Sequence, residues 1–222
     1  RGLPAADKAG QKGRKTSVEV MTAKRAGFCF GVKRAMDIAF GIAAGEVRGA
    51  CTLGPIIHNP QVIERLRDEG VKAIDASDIE REDVRTLIIR THGIPRQLYD
   101  KISARGCRII DATCPFVKKA QQYAGLLRDE GYQVVILGDL HHPEVQGIMS
   151  YAGDDVVVVD ENGSPDKLKP KVGVIVQTTQ PIEALKKLLS DIVGRVKEVK
   201  VFNTICNSTA LRLKETEKMA VR

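Results

Sequence analysis

The sequence predicts an α/β protein made of repeated small parallel-sheet units set around a pseudo-threefold axis, with the third unit incomplete. Two observations predict it. Short, wholly apolar runs alternate with longer segments of helical periodicity, the pattern of parallel strands buried on both faces and connected by covering helices. One ordered set of motifs also recurs along the chain, opening at Cys29, Cys114 and Cys206.

The elements follow in order. Residues 1–16 form a Gly-, Lys- and Ala-rich leader, expected to be flexible. Residues 1–25 carry +5 of the total net charge of +7, so the basicity is that of a solvated tail rather than of a folded nucleic-acid footprint. Residues 17–29, through Ser17–Met21, are expected to supply a strand to the third unit.

The first α/β unit spans residues 30–114. Val32, Ala35, Met36 and Ala39 share one helical face, Gln61–Glu69 is a second helix, and Leu87–Arg90 and Arg108–Ile110 are strands. The second unit spans residues 115–202. Its helix Phe116–Glu130 has Val117, Ala120, Ala124 and Leu127 on one face, and its strands are Val134–Leu137, Val156–Val159 and Val172–Val176. Residues 203–222 open the third unit, and about 60–70 further residues would complete it on the repeat plan.

The repeat is one of chemistry as well as of fold. Each of Cys29, Cys114 and Cys206 precedes a helical segment, which places each thiol at a helix N-terminus. The first interval from Cys to a His-bearing loop is 29 residues, from Cys29 to His58, and the second is 28, from Cys114 to His142. Cys29 to His92 is 63 residues and Cys114 to Thr178 is 64, which pairs those two polar loops. His141 has no counterpart on this alignment. Ligands of open parallel sheets bind beyond the carboxyl ends of the strands, so the Cys, His and Thr loops are expected to converge.

A lone cysteine is commonly a core thiol, and Cys51 and Cys107, outside the repeat, are read so. Three cysteines in matching slots are read as ligands. Structural zinc takes four protein ligands. Three thiolates instead suit a [4Fe–4S] cluster that keeps one iron open. His58, His92 and His142, with Thr91, Thr178 and Thr179, suit a diphosphate held by imidazoles, hydroxyls and helix N-termini. Glu144, one residue past Pro143, is placed as a proton source whose pKa a dry pocket would raise; it also suits the first turn of a helix.

Several function classes are excluded or left open. Nothing resembles a Walker or G-x-G-x-x-G loop, so nucleotide binding is not indicated. Aromatic residues make up 4% of the 222, too few for stacking on single strands. No apolar run is long enough to cross a bilayer. Five cysteines without C-x-x-C spacing suggest a reducing, cytoplasmic setting. A non-catalytic iron–sulfur or metal-sensing module, and a metal-free phosphate binder, remain as alternatives.

AGFCFGVKRAM, GPIIHNPQVIERL, THGIP, DATCPFVKKAQ, HPEVQG, QTTQ and ICNSTALR, in this order, resemble the LytB family of 4-hydroxy-3-methylbut-2-enyl diphosphate reductases over about residues 17 to 222. The resemblance implies a trefoil around an iron–sulfur cluster and the last step of the methylerythritol phosphate route. In that step the allylic hydroxyl is removed with two electrons and two protons, giving isopentenyl and dimethylallyl diphosphate.

It further implies that Cys29, Cys114 and Cys206 ligate the cluster and that His58, His92 and His142 line the diphosphate pocket. Glu144 would relay protons and Thr178 would hold substrate and a water. The electron donor would be a ferredoxin or flavodoxin. The family's later Ser-x-Asn motif and a further Ser lie beyond residue 222, which implies weak or no turnover from residues 1–222 alone.

Overall fold

The computed structural model describes residues 19–45, 49–79 and 84–221; the leader lies outside them. Seven helices and eight strands alternate among the described residues. The first unit runs α1 (Phe30–Ala44), β1 (Ala50–Leu53), α2 (Pro60–Asp68), β2 (Lys72–Ile74), β3 (Thr86–Ile89), α3 (Arg96–Ser103) and β4 (Arg108–Asp111). The second repeats it as α4 (Pro115–Asp129), β5 (Gln133–Leu137), α5 (Pro143–Ala152), β6 (Val157–Val159), β7 (Lys171–Val176), α6 (Ile182–Ile192) and β8 (Glu198–Phe202). Helix α7 (Asn207–Ala220) follows.

Each unit folds into a four-stranded, wholly parallel sheet. The strand orders are β2-β1-β3-β4 and β6-β5-β7-β8, the same topology twice. The central strands are level at their carboxyl ends, Leu53 beside Ile89 and Leu137 beside Val176. Apart from the strand expected within residues 17–29, the expected strands and helices form, with ends moved by a residue or so. The short strand β2 and the charged strand β8 (EVKVF) add an edge to each sheet.

Apolar residues cover both faces of both sheets, as parallel strands require. On the second sheet, Val135, Leu137, Val172, Val174 and Val176 pack against Leu185, Leu188 and Ile192 of α6. Val134, Ile136 and Ile175 pack on the other face against Ala120, Ala124 and Leu127 of α4 and Ile148 of α5. In the first sheet, Ile88 and Ala50 meet Ala35 and Ala39 of α1, while Leu87, Ile89 and Leu53 meet Ile102 of α3. Cys51 is buried in this last core and Cys107 packs on it, so both are core thiols.

Residues 19–29 contain no strand, contrary to the expectation for residues 17–29 (Ser17 and Val18 lie outside the described residues). A strand needs a partner ladder, and this segment lies against α7 instead. The Lys24 and Arg25 backbone N–H groups donate to the Glu215 carboxylate at 2.8 and 3.0 Å, and Arg212 donates to the Gly27 carbonyl at 2.7 Å. Cys29 is thereby drawn toward the helix that Cys206 opens.

Gly173 in β7 lets α4 settle on the sheet: a Cβ there would lie 2.5 Å from Leu127 Cδ2. Gly173→Ala is expected to destabilise the protein by about 1–3 kcal/mol through overpacking, read as a lower urea midpoint at unchanged slope. Trimming the facing side chain with Leu127→Val should recover part of that loss.

Candidate active site at the carboxyl ends of the two sheets

Strand order reverses between β1 and β3, and again between β5 and β7. Such reversals open a crevice at the carboxyl ends of the strands. His58 lies in the loop after β1 and His92 in the loop after β3; His142 follows β5 and Thr178 follows β7. The crevices face each other. The rings of His58 and His92 are 5.3 Å apart between centroids, and those of His92 and His142 are also 5.3 Å apart, edge to face. Small residues permit this approach: a Cβ at Gly147 of α5 would lie 3.7 Å from the His92 carbonyl and 3.0 Å from Gln121 Nε2.

Glu144 stands in the first turn of α5 and is 2% exposed. Thr178 holds both its oxygens, the backbone N–H donating to Oε1 at 2.7 Å and the hydroxyl to Oε2 at 2.9 Å. Burial pushes the carboxyl above its ordinary range, and the two Thr178 bonds oppose this only in part. The result is an acid held in a fixed pose and inclined to keep its proton.

The histidines respond to burial in the opposite sense. His92 is lowered to about 4, chiefly by burial and then by His142, Arg90 and His58. His142 is also lowered, again chiefly by burial. His142 is the N-cap of α5, and its Nδ1 accepts the Glu144 backbone N–H at 3.1 Å. Nδ1 of the neutral ring therefore carries no proton, and Nε2–H is the donor available to the pocket.

Each repeat cysteine is the N-cap residue of a helix: Cys29 of α1, Cys114 of α4 and Cys206 of α7. The first-turn amides of Phe116 and Val117 act to lower the Cys114 thiol, as the positive end of a helix does for an anion. Burial raises the Cys114 thiol, and its neighbours Cys206 and Cys29 raise it further. The same bond fixes two of the three cysteines. The Cys114 N–H donates to the Thr91 carbonyl at 2.9 Å, and the Cys206 N–H to the Thr178 carbonyl at 2.7 Å.

That bond corrects the repeat register. Thr178 is the counterpart of Thr91, not of His92. Likewise α2 and α5 both begin at a proline, with N-caps Asn59 and His142, so His142 matches Asn59 and His141 matches His58. Loop lengths differ by a residue or two between the units, and only the helix starts reveal it.

The sequence also left two supporting residues unread. Gln177, buried, accepts the Asp139 N–H at 2.9 Å and donates to Thr179 Oγ1 at 3.3 Å, tying the two loops of the second unit together. Gly31 of α1 leaves room for the second thiol, since a Cβ there would lie 2.5 Å from Cys114 Sγ. The QTTQ motif and the glycine two residues past Cys29 were the available signals.

Comparison with known proteins agrees with this geometry. The family model described as LytB protein matches residues 20–222. A 4-hydroxy-3-methylbut-2-enyl diphosphate reductase of Pelobacter propionicus is 49% identical over 205 residues, 91% of this chain and 72% of that protein. The enzyme of the same name from Geobacter sulfurreducens is 48% identical over 205 residues, with the same shares.

Two solved structures are similar as well. That of an (E)-4-hydroxy-3-methyl-but-2-enyl diphosphate reductase, the terminal enzyme of the non-mevalonate pathway, superposes with a TM-score of 0.75 at 39% identity, over 92% of this chain and 74% of that one. That of the E-1-hydroxy-2-methyl-but-2-enyl-4-diphosphate reductase from Plasmodium falciparum gives 0.74 at 26% identity, over 85% and 61%. With the motifs, the doubled sheet topology and these likenesses in agreement, the chain belongs to the LytB family.

Proposed function

We propose that the chain acts as a 4-hydroxy-3-methylbut-2-enyl diphosphate reductase, replacing the allylic hydroxyl by hydrogen with two electrons and two protons. The products are isopentenyl and dimethylallyl diphosphate, and water leaves. The observation that carries this reading is the buried Glu144–Thr178 pair beside three histidines and within a fold that gathers three helix-capping thiols. A sensing module would need neither the acid nor the histidines.

Cys29, Cys114 and Cys206 would hold a [4Fe–4S] cluster with one iron free of protein sulfur. Among the described residues no group of three or more His, Cys, Asp and Glu is arranged for a single metal ion. In such a cluster each ligated iron takes one thiolate, so three helix-capping cysteines would leave one iron without protein sulfur. When bound, the cluster supplies electrons singly and a Lewis-acidic iron. A small acidic electron carrier such as a ferredoxin or flavodoxin would deliver those electrons. Among the described residues no helix is long and apolar enough to cross a membrane.

The remaining work falls to the side chains. His142 Nε2–H, with His58 and His92, would orient the diphosphate by hydrogen bonds and so fix the allylic end in the pocket. Glu144, neutral when protonated, would give its proton toward the leaving hydroxyl. Thr178 Oγ1 can accept that proton and turn its own hydrogen outward, a one-step relay. Burial of Glu144 keeps bulk water from competing for the transfer.

Four outcomes test the reading. Glu144→Gln should lower turnover about 100-fold or more while leaving the visible absorbance of the cluster intact. In the wild type, activity should fall as pH rises through the raised Glu144 pKa, because the acid must be protonated to act; that alkaline limb should vanish in Glu144→Gln. Cys114→Ser, purified without oxygen, should carry less iron and lose colour. Without bound anion, the His92 ring protons should titrate by NMR with a midpoint of about 4, far below a free imidazole.

A further inference from the structure

We propose that Arg90 is an anion-holding residue of this pocket, its guanidinium supplying the permanent positive charge that the diphosphate end of the substrate meets. The inference rests on the diphosphate reading above and names a residue that neither the repeat nor the motifs single out.

Arg90 directly follows β3, at the mouth of the first crevice and two residues before His92. Its guanidinium lies over Gly54, the first residue of the loop that carries His58. A Cβ at Gly54 would sit 2.9 Å from one terminal nitrogen and 3.5 Å from Cζ. Gly54 also adopts φ 68°, so this loop both clears the space and turns in a way that suits glycine.

Among the described residues the guanidinium has no hydrogen-bonded partner. Nε is buried without a hydrogen bond, and among the described residues its side chain makes no hydrogen bond or ion pair. Asp75, just past β2, attracts it without pairing. The half-buried arginines elsewhere behave differently. Arg34 donates to the Thr113 and Asp111 carbonyls, Arg128 to Tyr151 and Arg195 to Pro165. Those brace the fold; Arg90 braces nothing. A guanidinium withdrawn from water and left with open donors is poised for a planar oxyanion.

The pocket also needs the charge. His92 and His142, both lowered by burial, face it as neutral rings at pH 7, and both sense Arg90. The other charged groups around are acidic or acid-forming: Asp75, Asp139 beside His142, and Glu144. A diphosphate carries at least two negative charges, which neutral imidazoles can hydrogen-bond but not offset.

The test titrates inorganic diphosphate into the full chain by calorimetry, in the wild type, Arg90→Gln and Arg90→Lys, from pH 6 to 8.5. At pH 8, Arg90→Gln should bind about tenfold or more weakly. The loss should persist across the range, because His92, lowered to about 4, stays neutral there and cannot replace the missing charge. Arg90→Lys, which keeps a positive charge, should restore most of the affinity. In turnover, Arg90→Gln should raise KM far more than it lowers kcat.

Equal affinity of Arg90→Gln and wild type would overturn the inference. So would a folded Arg90→Lys that binds no better than Arg90→Gln, the mark of a merely structural arginine. If Arg90→Gln does not fold by circular dichroism, Arg90→Lys decides: a charge-holding role predicts tight binding, and loss of binding in a folded lysine variant overturns it. Wild-type protein that binds no diphosphate at all would sink the proposed function itself, a result distinguishable from failure of Arg90 alone.

Discussion

A parallel sheet buried on both faces offers chemistry only at its ends, and that constraint governs this molecule. Every crossover helix returns the chain to the same starting edge, so every strand delivers its residues to one side. Where the strand order reverses, neighbouring loops part and leave a crevice. Two units with one topology give two such crevices. Gly147 lets α5 of the second unit close on the His92 loop of the first, and Gly93 in that loop clears room for Gln121 of α4. The histidine trio exists only because both sheets end on the same shared space.

Burial then sets the chemistry, and it acts on acids and bases alike. Withdrawal from water disfavours whichever form is charged, so Glu144 is pushed up and His92 and His142 down. Both movements favour neutral groups: an acid that keeps its proton and imidazoles that lack one. Such a pocket suits the removal of a poor leaving group, which wants a proton donor, and the holding of a diphosphate through hydrogen bonds. A fixed positive charge felt by His92 and His142 stands on Arg90, which cannot be neutralised at any ordinary pH.

The backbone links these two regions. Thr178 holds Glu144 through its N–H and hydroxyl while its carbonyl accepts the Cys206 N–H. Thr91 does the same for Cys114 in the first unit, with its hydroxyl turned to the Ile56 carbonyl. One residue thus positions both the acid and a thiol-bearing helix start, so displacement of that loop would disturb proton delivery and the cysteine register together. Gln177 next to it locks the loop to the one that carries His142.

The sequence by itself determined the alternation of buried strands and covering helices, because wholly apolar runs such as Val134–Leu137 and the 3.6-residue faces of α1 and α4 are local patterns. It also determined that Cys29, Cys114 and Cys206 each open a helix, since a segment of helical periodicity follows each. Strands β2 and β8 escaped it: three residues with a lysine, and a run carrying Glu198 and Lys200, become strands only through the ladder a neighbour offers. Only the tertiary structure decided the true register of the histidine loops, where units differ by a residue or two without breaking any local pattern. It alone set the partnership of Glu144 with Thr178, 34 residues apart, and the solitude of Arg90. Periodicity reports which face of an element is buried; which side chains meet at the end of two sheets, and which of them water can reach, follows from packing at long range.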